Sequence, residues 1–142
     1  MNTWLVKSEP GTWSWDDQVA KGVEPWDGVR SNAGAMHMKN MKKGDLAFFY
    51  HSGKERRIVG IVRVVKEYYP DPSDETGRFG MVDIETVGPV PKPINLADVK
   101  TDPRFASLAL VREGRLSVQP VDAKAWKALC AMGGVKAGGV KS

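Results

Sequence analysis

The chain has 142 residues, of which 27% are charged and 42% hydrophobic, a length and composition typical of one globular domain. Its 21 Lys and Arg against 17 Asp and Glu give a formal charge of +4, which permits a polyanionic partner without requiring one. A single cysteine, Cys130, excludes an internal disulfide framework, and no apolar run is long enough to span a bilayer. Because no signal-peptide pattern follows Met1, we expect a soluble protein without membrane contact, cytoplasmic or, in a eukaryotic source, nuclear.

The first half of the chain alternates period-two strand patterns with short helical patterns. The predicted elements are a strand over residues 3–9, helices over 15–20 and 29–41, and strands over 45–51 and 57–68. Ser14 is the expected N-cap of the first helix, since Asp16 and Asp17 then fall in its first turn. Apolar side chains occur on both faces of the two central strands, which predicts a curled, barrel-like sheet covered on both sides.

The second half is punctuated by proline and glycine. The predicted elements are a strand over residues 79–87, single helical turns at 96–99 and 103–107, a strand over 115–121 and a helix over 123–132 capped by Asp122. Pro89, Pro91 and Pro93 predict an interruption of regular structure, at an edge or a connection, and Gly60 indicates a bulge, a bend or the close approach of a ligand. We expect an α+β domain with a central barrel over residues 1–132, and a flexible Gly-rich tail over 133–142.

Sequence motifs for catalysis or cofactor binding are absent. There is no GxxxxGK[ST] segment, and no GxGxxG follows a strand. Two histidines and one cysteine give no recognisable zinc spacing, and no nucleophile elbow surrounds Ser8 or Ser52 near His51. The sequence therefore predicts neither a metal site nor a cofactor, and favours a binding module over an enzyme.

Trp26 differs from the other tryptophans because it precedes an Asp-Gly turn, where a ring can stack on a planar ligand. Base–aromatic stacking contributes roughly 1–3 kcal/mol per base but does not distinguish bases, so polar groups must contact the ring edge. The candidates are Lys7, Ser8, Asp27, His51, Ser117 and Gln119. The alternative is that Trp26 simply closes one end of the barrel.

Basic residues bracket the Phe-rich strand over residues 45–51. One cluster precedes it and another follows it, an arrangement typical of a rim that tracks phosphates, although solvated loop tips have the same composition. The candidate phosphate-binding residues are Arg30, Lys54, Arg56 and Arg57.

Six ordered motifs resemble the EVE domain family. They are WLVKSEP at residues 4–10, WDGVR at 26–30, GDLAFFYHS at 44–52, IVGI at 58–61, YPDP at 69–72 and RLSVQPV at 115–121. The resemblance implies a PUA-like mixed β pseudobarrel surrounded by short helices, and a relationship to YTH domains. It also implies binding of modified bases, notably 5-methylcytosine or 5-hydroxymethylcytosine in DNA, or a modified base in RNA. Lys7, Ser8 and Trp26 occupy positions that match the base pocket of YTH domains.

The sequence and this resemblance together predict a non-catalytic, monomeric nucleic-acid-binding module that holds a flipped modified base in an aromatic cage. The predicted pocket comprises Lys7, Ser8, Trp26, Asp27, Tyr50, His51, Tyr69, Phe79, Ser117 and Gln119. Trp26 is the first wall, and Tyr50, Tyr69 or Phe79 the second. The alternatives are an RNA-binding protein that reads shape, and a small enzyme acting on modified nucleotides.

Overall fold

The described part of the chain, residues 2–27 and 31–135 of a computed structural model, folds around a mixed β-sheet. The strands are β1 (Thr3–Ser8), β2 (Val23–Trp26), β3 (Leu46–His51), β4 (Arg57–Pro70), β5 (Gly80–Asn95) and β6 (Val118–Val121), in the order β2-β5-β4-β3-β1-β6. The helices are α1 (Trp15–Lys21), α2 (Asn32–Asn40), α3 (Leu96–Thr101), α4 (Ala109–Arg112) and α5 (Ala123–Met132), with a 3-10 turn at Pro103–Phe105. The predicted α+β class is confirmed. No helix within the described residues is both long and apolar enough to cross a membrane.

The pairing of β1 with β3 is parallel, whereas the other strand pairs are antiparallel. Parallel pairing places the carboxyl ends of both strands at one edge, with Ser8 opposite His51 and Lys7 opposite Tyr50. On the other side of β1, the backbone N–H of Lys7 donates to the Ser117 carbonyl at 2.9 Å. Residues from three distant parts of the sequence therefore lie together at this edge.

Both faces of the sheet are covered, as the two-sided apolar pattern predicted. Successive residues of β3 point to opposite sides, so Phe48 and Phe49 enter separate hydrophobic clusters. On one face the Phe48 ring stacks on Trp126 of α5, with centroids 3.9 Å apart. On the other face Phe49 meets the edges of Trp15 and Trp26, at centroid distances of 5.3 and 5.6 Å. Burial of these rings from both sides stabilises the sheet.

The close approach that Gly60 permits is to a protein side chain. A Cβ on Gly60 would lie 2.4 Å from the indole ring of Trp15, which is shorter than any normal contact. The strand pairing also shifts register beside Gly60. The glycine therefore lets α1 pack its first residue directly onto the backbone of β4.

The predicted interruption of regular structure at Pro89, Pro91 and Pro93 is wrong, because all three residues lie within β5. Strand β2 pairs with residues 82–85 of β5, and among the described residues no strand pairs with the same edge further along β5. An edge of that kind does not require the N–H that proline lacks, so the strand continues through the prolines.

Helix boundaries follow their capping residues. Ser14 and Asp17 form a capping box at the start of α1, and the Asp122 carboxylate accepts the Ala125 N–H of α5, as the sequence predicted for both N-caps. Helix α2 begins at Asn32 rather than at residue 29, because Ser31 is its N-cap. Its buried residues are Gly34, Ala35 and Met38. On the same helix Met36 is 53% exposed, whereas Met41, its C-cap, is buried.

Two further elements differ from the prediction. Helix α4 was not predicted, and β6 begins at Val118 rather than at residue 115.

The first residues of the predicted tail contact the domain, since the Gly133 carbonyl accepts from Lys92 N–H and Val135 N–H donates to the Cys130 carbonyl. The rest of the predicted tail, residues 136–142, lies outside the described residues.

Cys130 is buried in α5, and burial raises the pKa of its thiol to about 11. We therefore expect Ellman's reagent at pH 8 to label the folded protein far more slowly than the protein in guanidinium, since the thiolate is the nucleophile. Because this pKa is raised by folding, its contribution to stability is present below the unfolded pKa of about 9 and is lost towards pH 11. Prompt stoichiometric labelling of the folded protein would contradict this assignment.

Candidate nucleic-acid interface

A cavity of about 550 Å³ opens where the carboxyl end of β1 faces β2 and the segment that leads into β6. We call it the base cavity; its described lining is Lys7, Ser8, Glu9, Thr12, Trp13, Glu24, Pro25, Trp26, Asp27, Ser31, Arg115 and Ser117. Its volume lies within the range of roughly 300–1,000 Å³ that is usual for small-molecule sites. Aromatic and polar groups line the same space, which suits a planar ligand with a polar edge.

Trp26 belongs both to the hydrophobic core and to the base cavity. It is the last residue of β2, opposite Val82 of β5, and its ring meets Phe49 edge-on at an interplanar angle of 77°. Only 8% of the residue is exposed, and it contributes to the cavity lining. Its packing fixes the ring before any ligand arrives, so little side-chain entropy would be lost on binding.

Trp13 also lines the base cavity, a role that the sequence did not suggest because Trp13 lies just before a helix. Its indole Nε1 donates to Gln18 Oε1 at 2.9 Å, and its carbonyl accepts a short hydrogen bond from Ser8 Oγ. Gln18 is itself wholly buried and donates to the Gly22 carbonyl at 3.3 Å. These bonds, each between residues no more than five positions apart, orient the Trp13 ring.

Five of the predicted pocket residues line the base cavity together: Lys7, Ser8, Trp26, Asp27 and Ser117. Lys7 is partly desolvated, and this burial lowers its pKa below the ordinary value. Its ammonium donates to the Gly114 carbonyl at 2.7 Å.

The lining also contains charged and polar residues that the predicted pocket omitted: Glu9, Thr12, Glu24, Ser31 and Arg115. Glu24 forms an ion pair with Lys21 at 2.8 Å, and Ser31 Oγ accepts from Gly34 N–H at 3.0 Å. Glu9 and Asp27 are therefore the lining carboxylates without an ion pair among the described residues. The motifs WLVKSEP and RLSVQPV contained Glu9 and Arg115, and this was the available sequence signal for them.

The other predicted pocket residues lie elsewhere. Tyr50 lines a smaller cavity, and His51 is buried, with Nε2 accepting from Trp15 N–H at 2.9 Å and Nδ1 2.9 Å from the Glu55 carboxylate. The Tyr69 hydroxyl donates to Asp83, and burial together with this carboxylate raises the pKa of Tyr69 to about 12.

Phe79 and Gln119 are likewise absent from the described lining of the base cavity. Phe79 is buried beneath the Arg78 guanidinium, which lies 5.2 Å from its ring centroid. Gln119 is fully buried and donates to the Leu116 carbonyl at 2.9 Å, while its Oε1 has no hydrogen-bond partner among the described residues.

The predicted phosphate-binding residues differ in their surroundings. Arg57 is partly neutralised by Glu55 at 3.2 Å, whereas Arg56 donates to the Gly53 carbonyl at 3.1 Å and lines the smaller cavity. Lys54 is exposed in the turn between β3 and β4, and Arg30 lies outside the described residues. In the part of the chain that the structure describes, no group of three His, Cys, Asp or Glu side chains is placed to hold a metal ion.

Residues 2–132 match the family described as EVE domain. The chain belongs to the EVE domain family. Thymocyte nuclear protein 1 of Gallus gallus is 32% identical over 83% of this chain, and the match spans 63% of that relative's length. Among solved structures, an NMR structure of a Rhodopseudomonas palustris protein is 52% identical, covers 94% of both chains and has a TM-score of 0.89. Human THYN1 protein in complex with 5-methylcytosine-containing DNA is 30% identical, with 94% and 98% of the chains covered and a TM-score of 0.86.

These likenesses confirm the PUA-like α+β fold predicted from the six motifs. A YTH domain from Zygosaccharomyces rouxii also aligns, with 10% identity and a TM-score of 0.58. At that identity the likeness is one of fold, and it agrees with the predicted relationship between EVE and YTH domains.

Proposed function

We propose that this EVE domain is a non-catalytic nucleic-acid-binding module that holds a flipped, modified cytosine in the base cavity. The observation that carries the proposal is the cavity itself, in which Trp13 and Trp26 lie beside carboxylate, hydroxyl and ammonium groups. The 30% identical human relative was solved with DNA that contains 5-methylcytosine, which supports a ligand of this class.

The energetics favour a base that has already left its stack. Extrusion from a duplex costs a few kcal/mol, and stacking on an aromatic ring returns roughly 1–3 kcal/mol per base. The Trp26 ring is held by Phe49, and the Trp13 indole by Gln18, so both are positioned in advance. We therefore expect tighter binding to single-stranded or mismatched sites than to a paired one.

The cavity carboxylates give a physical reason for preferring cytosine. Cytosine presents an exocyclic N4 amino donor, which Asp or Glu accepts, whereas thymine carries the 5-methyl group but presents an O4 acceptor at that place. Glu9 and Asp27 both line the cavity, and among the described residues neither forms an ion pair. A carboxylate at the ring edge would therefore accept 5-methylcytosine and repel thymine.

We expect oligonucleotides that differ at one base to bind in the order 5-methylcytosine, cytosine, thymine, as measured by fluorescence anisotropy. Asp27→Asn should reduce the discrimination between 5-methylcytosine and thymine, which for one good contact is worth about 1–3 kcal/mol. The matched control is Asp16→Asn, which removes the same charge from an exposed site on α1. The same series with 5-hydroxymethylcytosine and in RNA defines the preferred modification and sugar. Equal affinity for all members would contradict the proposal.

The position of His51 supports binding without catalysis. General acid–base chemistry requires the imidazole within hydrogen-bonding reach of the substrate. Here His51 Nε2 accepts the Trp15 backbone N–H and Nδ1 contacts Glu55, so both ring nitrogens are engaged away from the base cavity. Incubation of a 5-methylcytosine oligonucleotide with the protein should leave the base unchanged by mass spectrometry.

A further inference from the structure

A second cavity, of about 230 Å³, shares Lys7 with the base cavity. We call it the basic cleft; its described lining is Lys7, Tyr50, Ser52, Gly53, Arg56, Leu96, Lys100, Leu110, Val111 and Gly114. Three of these residues are cations and none is acidic, in contrast to the mixed charges of the base cavity. From the sequence, Lys7 was predicted in the base pocket and Arg56 among the phosphate-binding residues, but no role was predicted for Lys100. Lys100 lies on α3, and only the fold brings α3 beside Lys7 and Arg56.

Among the described residues, no ion pair offsets the positive charges of the basic cleft. Lys7 donates to the Gly114 carbonyl and Arg56 to the Gly53 carbonyl, and a carbonyl does not neutralise a cation. Within the described residues, no carboxylate lies within ion-pair distance of either residue or of Lys100. Arg57 is different, because Glu55 lies 3.2 Å away. Concentrated, unpaired positive charge in a concave site attracts an anion.

We propose that the basic cleft binds a phosphate group of the strand next to the nucleotide held in the base cavity. This inference rests on the proposed function, because Lys7 lines both cavities and so places the anion beside the flipped base. Arg56 and Lys100 would then contribute affinity that is independent of the base. Strand polarity would be fixed at the same time, since only one flanking phosphate can occupy the cleft.

The test uses Lys100→Ala, with Lys124→Ala as the matched control, an exposed lysine of α5 that lines neither cavity. Single-stranded oligonucleotides carry one 5-methylcytosine, and each flanking linkage is replaced in turn by a neutral methylphosphonate. Lys100→Ala should weaken binding to modified and unmodified strands equally, by about tenfold. The slope of log affinity against log salt should fall by about 0.7 for the one lost phosphate contact.

The methylphosphonate series supplies a double-mutant cycle. One neutral linkage beside the modified base should weaken binding to the wild-type protein but cost little further in Lys100→Ala. If the losses of binding free energy from the neutral linkage and from Lys100→Ala add strictly at every linkage, the proposal is overturned. A titration with inorganic phosphate is the second check. If phosphate shifts the Gly53 and Gly114 amide resonances and the strand does not displace it, the site binds a free anion and the proposal is overturned.

The two proposals fail in different ways. If the wild-type protein prefers 5-methylcytosine but Lys100→Ala binds like Lys124→Ala, the basic cleft is overturned and the base cavity stands. If the coupling to one linkage is present but no modified base is preferred, the cleft is supported and the base proposal fails. Circular dichroism checks that each variant is folded.

Discussion

Trp26→Ala should remove the preference for 5-methylcytosine, so that modified and unmodified strands bind with the same affinity. The affinity for the modified strand should fall roughly 5- to 150-fold, which corresponds to one stacked base at about 1–3 kcal/mol. The residual affinity should come from cations outside the base cavity and should fall steeply with salt. Anisotropy titrations of the two strands at two salt concentrations measure both quantities.

The same substitution should also destabilise the fold, because Trp26 is 8% exposed and packs on Phe49. Truncation of a buried Trp to Ala costs about 3–5 kcal/mol in well-packed cores. Trp26→Leu therefore serves as the second variant, since it keeps apolar volume in the core but offers no π-surface. Val82→Ala is the control for packing, because Val82 is the buried partner of Trp26 in β5 and does not line the cavity. A folded Trp26→Leu protein that keeps the full preference would contradict the stacking role.

Gly60→Ala should destabilise the domain by about 1–3 kcal/mol, the usual cost of overpacking a core. The new Cβ would lie 2.4 to 2.5 Å from three ring atoms of Trp15, whose indole lies between the backbone of β4 and the ring of Phe49. Relief of this clash requires Trp15 to move, and Phe49 with it. Because Phe49 also supports Trp26, weaker binding to 5-methylcytosine should accompany the lost stability.

Gly88→Ala is the matched control for this substitution. Gly88 lies on β5 opposite Ile61 of β4, and a Cβ there would meet nothing within 4 Å. Urea unfolding followed by tryptophan fluorescence should give a near-wild-type midpoint for Gly88→Ala and a lower one for Gly60→Ala. Equal midpoints for the two variants would show that Trp15 adapts without cost.

Local rules accounted for much of the fold. The β-branched run of β4 and the caps at Ser14 and Asp122 were predicted because each depends on residues close in sequence. The course of β5 through its prolines was not predicted. Whether a strand tolerates proline depends on which of its edges is paired, and that is a property of the assembled sheet.

The residues of the candidate site were likewise predicted only in part. Lys7, Ser8 and Trp26 were candidates both from their residue chemistry and from the motif resemblance, and the structure places all three at one cavity. Tyr50 is the penultimate residue of β3, and strand pairing sets it opposite Lys7, in the basic cleft. The orientation of Trp13 depends on its hydrogen bond to Gln18, which no sequence pattern reveals.

The central claim is that a modified base enters the cavity formed by Trp13 and Trp26. Its most direct test is the indole N–H region of a ¹H–¹⁵N NMR spectrum during titration with a single-stranded oligonucleotide that contains one 5-methylcytosine. The Trp13 and Trp26 resonances should shift, more strongly than with the unmodified strand, while that of Trp126, buried in the opposite core, should stay in place. Binding that leaves Trp13 and Trp26 unmoved and perturbs only residues around the basic loop at 52–56 would contradict the account.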